Sequence, residues 1–133
     1  MTTKKERQEA MFKDLFEKAH EAGTAAAFLT QPVPMVVEEH RSMLDDASPV
    51  VKQWYVPGGV CGFAWVSIKP ANGPAAHYAV KNCGARPDSY YGGVSIWVSD
   101  FGQSMQIKEA YAQAYARVLA DGGVKAYPMS RID

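Results

Sequence analysis

Three histidines and two cysteines are the first residues to weigh for chemistry. His20, His40 and His77 form no pair at metal-ligand spacing, and neither Cys61 nor Cys83 sits in a Cys-x-x-Cys motif. The spacing therefore predicts no metal centre. A thiolate nucleophile would need His77 brought beside a cysteine, which the linear order does not provide. Two glycine-rich turns, Pro57-Gly58-Gly59 and Tyr91-Gly92-Gly93, let backbone amides approach an anion. Neither runs directly into a helix, and no Walker or G-x-G-x-x-G pattern accompanies them, so turn geometry explains them first. Asp100-Phe101-Gly102 spells a protein-kinase tripeptide, but the other kinase motifs are missing and the chain is far too short for that fold. Gln103, Ser104 and Lys108 open a long helix, where the helix N-terminus favours anions, and could line such a site. Their plainer reading is a cap followed by a solvated helix face. No cofactor is implied by any of these groups.

The aromatic residues give a sharper signal. In Gly93–Ser99, Val94, Ile96 and Val98 point one way while Ser95, Trp97 and Ser99 point the other, the period of a half-buried strand. In Val60–Ile68, Cys61, Phe63 and Trp65 share one face and Gly62, Ala64, Val66 and Ile68 the other. Both faces are apolar, as expected of a central strand covered on both sides. If these strands are neighbours, Phe63, Trp65 and Trp97 lie on one side of a sheet. The ordinary way to bury that side is to lay the N-terminal helix over it. Left open, it would offer Tyr90, Tyr91 and Trp97 beside small serines as a stacking or hot-spot surface.

The elements that must position these residues follow in order. Thr3 and Glu6 have capping-box spacing. Behind them Met11, Phe12, Leu15, Phe16, Ala19, Ala22 and Ala26 keep one helical stripe, which runs through Gly23 and must stop near Thr30 because Pro32 and Pro34 follow. Gly23 is thus expected inside the helix, where another backbone comes close. Residues 32–57 read as irregular: an extended edge segment near Val33–Val37, a polar loop or single helical turn over Glu38–Ser48, and a short strand at Trp54–Val56. A short helix is expected over residues 72–84, with Asn72 as cap and Gly84 closing it, and a loop over Ala85–Ser89. Ile107, Ala110, Tyr111, Ala114 and Val118 stripe the long C-terminal helix, capped by Ser104 and ended by Gly122-Gly123. Val124–Met129 is the last strand. The expected fold is one α+β domain over 1–133, a small mixed sheet packed by the two long helices with the short helix between the two main strands. Strands joined through helices predict parallel neighbours with right-handed crossovers.

Composition bounds the function. The chain has 133 residues, 47% of them hydrophobic, enough for a real core. Fourteen basic residues face fourteen acidic ones, which disfavours avid nucleic-acid binding. No apolar run approaches a membrane span, and the start, Met-Thr-Thr-Lys-Lys-Glu-Arg, lacks an apolar signal core, so a cytoplasmic location is expected.

Gly-Val-Cys-Gly-Phe-Ala-Trp-Val at 59–66, Tyr-Tyr-Gly-Gly-Val-Ser-Ile-Trp-Val at 90–98, Gln103-Ser104, Lys-Glu-Ala-Tyr-Ala at 108–112 and the closing Ser-Arg-Ile-Asp carry a resemblance. With Ala22–Met35 they cover residues 20–133 in separated blocks. The chain resembles small uncharacterised proteins encoded by tailed phages and phage-like metagenomic sequences. The resemblance implies a bacterial host cytoplasm or a virion and says nothing about chemistry.

The expected role is a phage accessory protein that binds a protein or small-molecule partner through Tyr90, Tyr91 and Trp97, with the start of the long helix beside them. Catalysis is not assigned. The alternatives are a small enzyme or nucleotide-binding protein, with its site at 91–93 and the start of the 104–121 helix, and a virion structural protein. A homo-oligomer is left open.

Overall fold

The computed structural model describes residues 3–32, 34–40, 50–56 and 59–133, and within 35–40 and 50–56 only the backbone. Of the loop expected over Glu38–Ser48, Glu38–His40 are strand instead, because they pair with a neighbouring strand, and 41–48 lie outside the described residues, as do Pro57 and Gly58 of the expected turn.

Helix α1 spans Lys4–Leu29. The Thr3 hydroxyl accepts the Glu6 amide at 3.1 Å and donates to the Glu6 carboxylate, so the capping pair forms with the carboxylate on the hydroxyl. A two-stranded antiparallel pair follows, β1 (Met35–His40) with β2 (Val50–Val56). Then come β3 (Gly62–Lys69), α2 (Pro74–Asn82), the two-residue β4 (Arg86–Pro87), β5 (Val94–Trp97), α3 (Met105–Asp121) and β6 (Lys125–Ile132). The cap of α2 is Gly73 rather than Asn72, with Pro74 in the first turn.

The larger sheet has the order β4-β5-β3-β6, and each of its pairings is antiparallel. The α+β architecture is as the sequence predicts, but the parallel neighbours are not there, so this sheet is antiparallel rather than mixed. The crossovers explain why. Helix α2 links β3 to β4 and α3 links β5 to β6, and each pair does run parallel. Each crossover skips one position, and a strand of the other unit fills the gap. Two split β-α-β units interleave, and antiparallel contacts result.

The three helices of the described residues lie on one side of this sheet. Helix α3 rests on β3 and β6, and α1 packs along α3. Ala64, Val66, Ile68, Val94 and Ala126 form the inner face of the sheet and join Phe12, Phe16, Ala19, Ala112, Tyr115 and Leu119 in one buried cluster. Phe16 meets Tyr78 of α2 and Tyr115 of α3, with ring centroids 5.1 and 6.3 Å apart. The N-terminal helix thus covers the Ala64/Val66/Ile68 side, not the Phe63/Trp65/Trp97 side where it was expected. The deciding contact is at Gly23. A Cβ there would lie 2.7 Å from the Tyr111 ring and 3.0 Å from the Tyr111 carbonyl oxygen. This close approach holds α1 against α3, as the unbroken stripe through Gly23 implied.

The buried stripe of α3 is Lys108, Ala112, Tyr115, Ala116 and Leu119. The stripe read from the sequence flanks it and is half-buried, because α3 is wedged between the sheet and α1 and buries two sides. Among the described residues no helix is long and apolar enough to cross a membrane.

Candidate functional site

Register places the odd-numbered residues of β3 on the outer face, the side away from the helices. Trp65 stands opposite Trp97 and Met129, Ser67 opposite Ser95 and Tyr127, and Phe63 opposite Arg131. The rings form one continuous row. Tyr90 and Tyr91 lie 4.6 Å apart edge to face, Tyr91 and Trp65 5.9 Å, Trp65 and Trp97 4.8 Å and nearly parallel, and Trp97 and Phe63 5.9 Å. Trp65 at the centre is 3% exposed, while Trp97 is 46% and Tyr90 84% exposed. Offset and edge-to-face pairs at these separations attract one another beyond simple burial.

The turn that carries Tyr90 and Tyr91 is built on Asp88. Its carboxylate accepts the Tyr90 and Tyr91 amides at 2.9 and 3.0 Å and the Ser95 hydroxyl at 3.0 Å. Its backbone exchanges bonds with the same turn, donating to the Gly93 carbonyl and accepting from the Gly92 amide. These donors, the Tyr91 amide first, hold the Asp88 carboxyl below the usual carboxylate range, and Lys69 adds to the effect. Of the amides that a Tyr91-Gly92-Gly93 anion cradle would offer, Tyr91's is therefore spent on the Asp88 carboxylate and Gly92's on the Asp88 carbonyl.

Gln103, Ser104 and Lys108 sit at the junction of α3 with β3. The Gln103 carbonyl accepts the Gly62 amide, and the Ser104 hydroxyl accepts the Ile107 amide at 3.4 Å. The buried Lys108 ammonium donates to the Gly62 carbonyl at 3.4 Å and lies 5.7 Å from the centre of the Phe63 ring. The structure thus brings Tyr90, Tyr91 and Trp97 into one row. Lys108 meets the far end of that row through Phe63, while Gln103 and Ser104 tie two elements together.

A second feature lies where β5 ends. A cleft of about 590 Å³ opens between α1, α2, α3 and Trp97. Within it His20 Nδ1 and the Tyr111 hydroxyl are 2.6 Å apart. Burial pushes the Tyr111 phenol up to about 12, and it raises Tyr115 further. Burial also pushes the Cys83 thiol up, against a Tyr115 hydrogen bond that lowers it. That direction keeps the thiol protonated, the opposite of what a thiolate nucleophile needs. The bond between His20 and Tyr111, on helices far apart in sequence, left no signal in the sequence beyond a histidine on a polar flank. Among the described residues no cluster of three or more His, Cys, Asp or Glu could hold a metal ion.

No family model, curated protein or solved structure matches the chain.

Proposed function

We propose that this chain is a binding protein, an accessory protein in the phage setting its resemblance implies, and that it recognises its partner on the outer face of the four-stranded sheet. One observation carries the reading: five rings, Tyr90, Tyr91, Trp65, Trp97 and Phe63, form a contiguous row on the side of the sheet opposite the helices. Aromatic rings held by neighbours present large contact area at little entropic cost, which is how recognition hot spots are built. No catalytic step is assigned.

The cleft favours a second reading, a small-molecule site, because the His20–Tyr111 pair and the Cys83–Tyr115 pair converge in a concavity. A thermal-shift screen against nucleotides, sugars, short oligonucleotides and metals separates the two. A ligand at about 100 times its dissociation constant stabilises the fold by about 2.7 kcal/mol. Loss of the shift in Tyr90→Ala and Tyr91→Ala, which lie outside the cleft, with His20→Ala unaffected, places binding on the sheet face. The reverse pattern places it in the cleft. Absence of any shift across the panel would sink both as ligand sites.

A further inference from the structure

Resting on the sheet-face reading, we infer that the occupant of this face is single-stranded nucleic acid. The chain-wide charge balance conceals a separation. Among the described residues of the four-stranded sheet, the charged strand residues on the outer face are Lys69, Arg86, Lys125 and Arg131, all basic: Arg86 stands opposite Ser95, Lys125 opposite Lys69 and Arg131 opposite Phe63. Two of these cations lie over rings. The Arg131 guanidinium lies 5.4 Å from the centre of the Phe63 ring, and the Lys69 ammonium 5.9 Å from that of Tyr127. At the tyrosine end of the row Asp88 has its carboxylate taken up by two amides and a hydroxyl, and at the Phe63 end Asp133 donates its amide to the Cys61 carbonyl.

The exposed rings Tyr90, Tyr91 and Trp97, with cations at the margins of the face, match a chain of bases joined by phosphates, because every base has a stackable face and every linkage carries a negative charge. A base paired in a duplex keeps that face inside its own stack, so the geometry favours single strands. The chain also leaves the centre of this face chemically unfinished. Trp65 Nε1 and Ser67 Oγ are both buried and without a hydrogen-bond partner. A buried polar group left so is costly.

The test is fluorescence anisotropy of the full chain with labelled oligo(dT) and oligo(U) of about twelve nucleotides, within the usual span of a single-strand site. Single strands should bind with log affinity falling against log salt at a slope of about −3, as four phosphate contacts predict. A duplex of the same length should bind at least about tenfold more weakly. Tyr91→Ala and Trp97→Ala should each weaken binding about tenfold with the slope unchanged. Lys125→Ala and Arg131→Ala should each reduce the slope by about 0.7. Tyr90→Ala serves as a further ring variant, and circular dichroism verifies that each variant is folded. A glutamate-rich peptide is the competing arm. Capture of that peptide, lost in Trp97→Ala, with no oligonucleotide bound, overturns this inference and leaves the sheet-face reading standing. Oligonucleotide binding untouched by every variant overturns both. Duplex binding as tight as single-strand binding overturns the stacking argument.

Discussion

Asp88 shows how one carboxylate can set the position of a recognition surface. Three donors converge on it, and two of them are the amides of the tyrosines that begin the aromatic row. Asp88→Ala should leave the core intact and release the turn, so that amide exchange at Tyr90 and Tyr91 accelerates more than about tenfold, as expected when a local opening becomes easy. The pH dependence follows from the lowered carboxyl. A group favoured in its ionised form when folded contributes fully above its ordinary value, about pH 4. That contribution is lost as pH falls through the lowered folded value, and the Tyr90 and Tyr91 amide resonances should move together in an acid titration. The phenols behave oppositely. Tyr111 is raised to about 12 and Tyr115 beyond it, so their contribution is whole below about pH 10 and is lost as pH rises through the raised values. Tyrosinate absorbance should therefore show Tyr111 and Tyr115 among the late phenols, ionising together with loss of the helical circular dichroism. Tyr111 and Tyr115 titrating reversibly near pH 10 in the folded chain would contradict the burial argued for them.

At the scale of elements, two glycines fix how pieces meet. Gly23 lets α1 lie on the Tyr111 backbone. Ala would gain about 1 kcal/mol in helix propensity but lose about 1–3 kcal/mol to overpacking. Gly23→Ala should therefore destabilise the fold in urea unfolding, although propensity alone predicts the opposite. Gly93 has φ +67°, and a Cβ there would collide with the Ile68 carbonyl oxygen. Gly93→Ala should cost more than Gly23→Ala, because the obstructing atom is backbone and the dihedral is itself unfavourable. These elements also show what the sequence could disclose. The alternation in 60–68 and 93–99, the Ser104 cap and the passage of the helical stripe through Gly23 are local patterns, and each element appears where its pattern lies. Strand β4 has two residues and no periodicity to reveal it. The side of the sheet chosen by α1 was equally hidden, because both faces of β3 are apolar and only the third dimension distinguishes them. The row from Tyr90 to Phe63 was half legible: Trp97, Tyr90 and Tyr91 stood out, and the stack on Trp65 that joins them required the β3–β5 register.

For the whole molecule, the interleaved crossovers put the three helices of the described residues on one side of the sheet and so divide the chain's labour between two faces. The inner face supplies the burial that holds the fold, with Ile68 and Leu119 wholly enclosed. The outer face keeps Tyr90, Trp97 and Tyr127 in contact with solvent, although large apolar rings gain most by being covered. This division can be tested without knowing any partner. Leu119→Ala removes a packed side chain from the shared cluster and should cost about 3 kcal/mol, or roughly 10 °C in Tm for a domain of this size. Tyr90→Ala and Tyr127→Ala should stay within about 0.5 kcal/mol of the parent, as surface changes do. Trp97→Ala should lose its stack on Trp65 and its edge contact with Phe63, about 2 kcal/mol together. If instead the outer rings cost as much as Leu119, the row would be part of the chain's own core, and its solvent-facing rings would owe their placement to folding alone. If they cost little, the chain maintains an exposed aromatic face that its stability does not require, which is the physical condition for a surface kept for recognition.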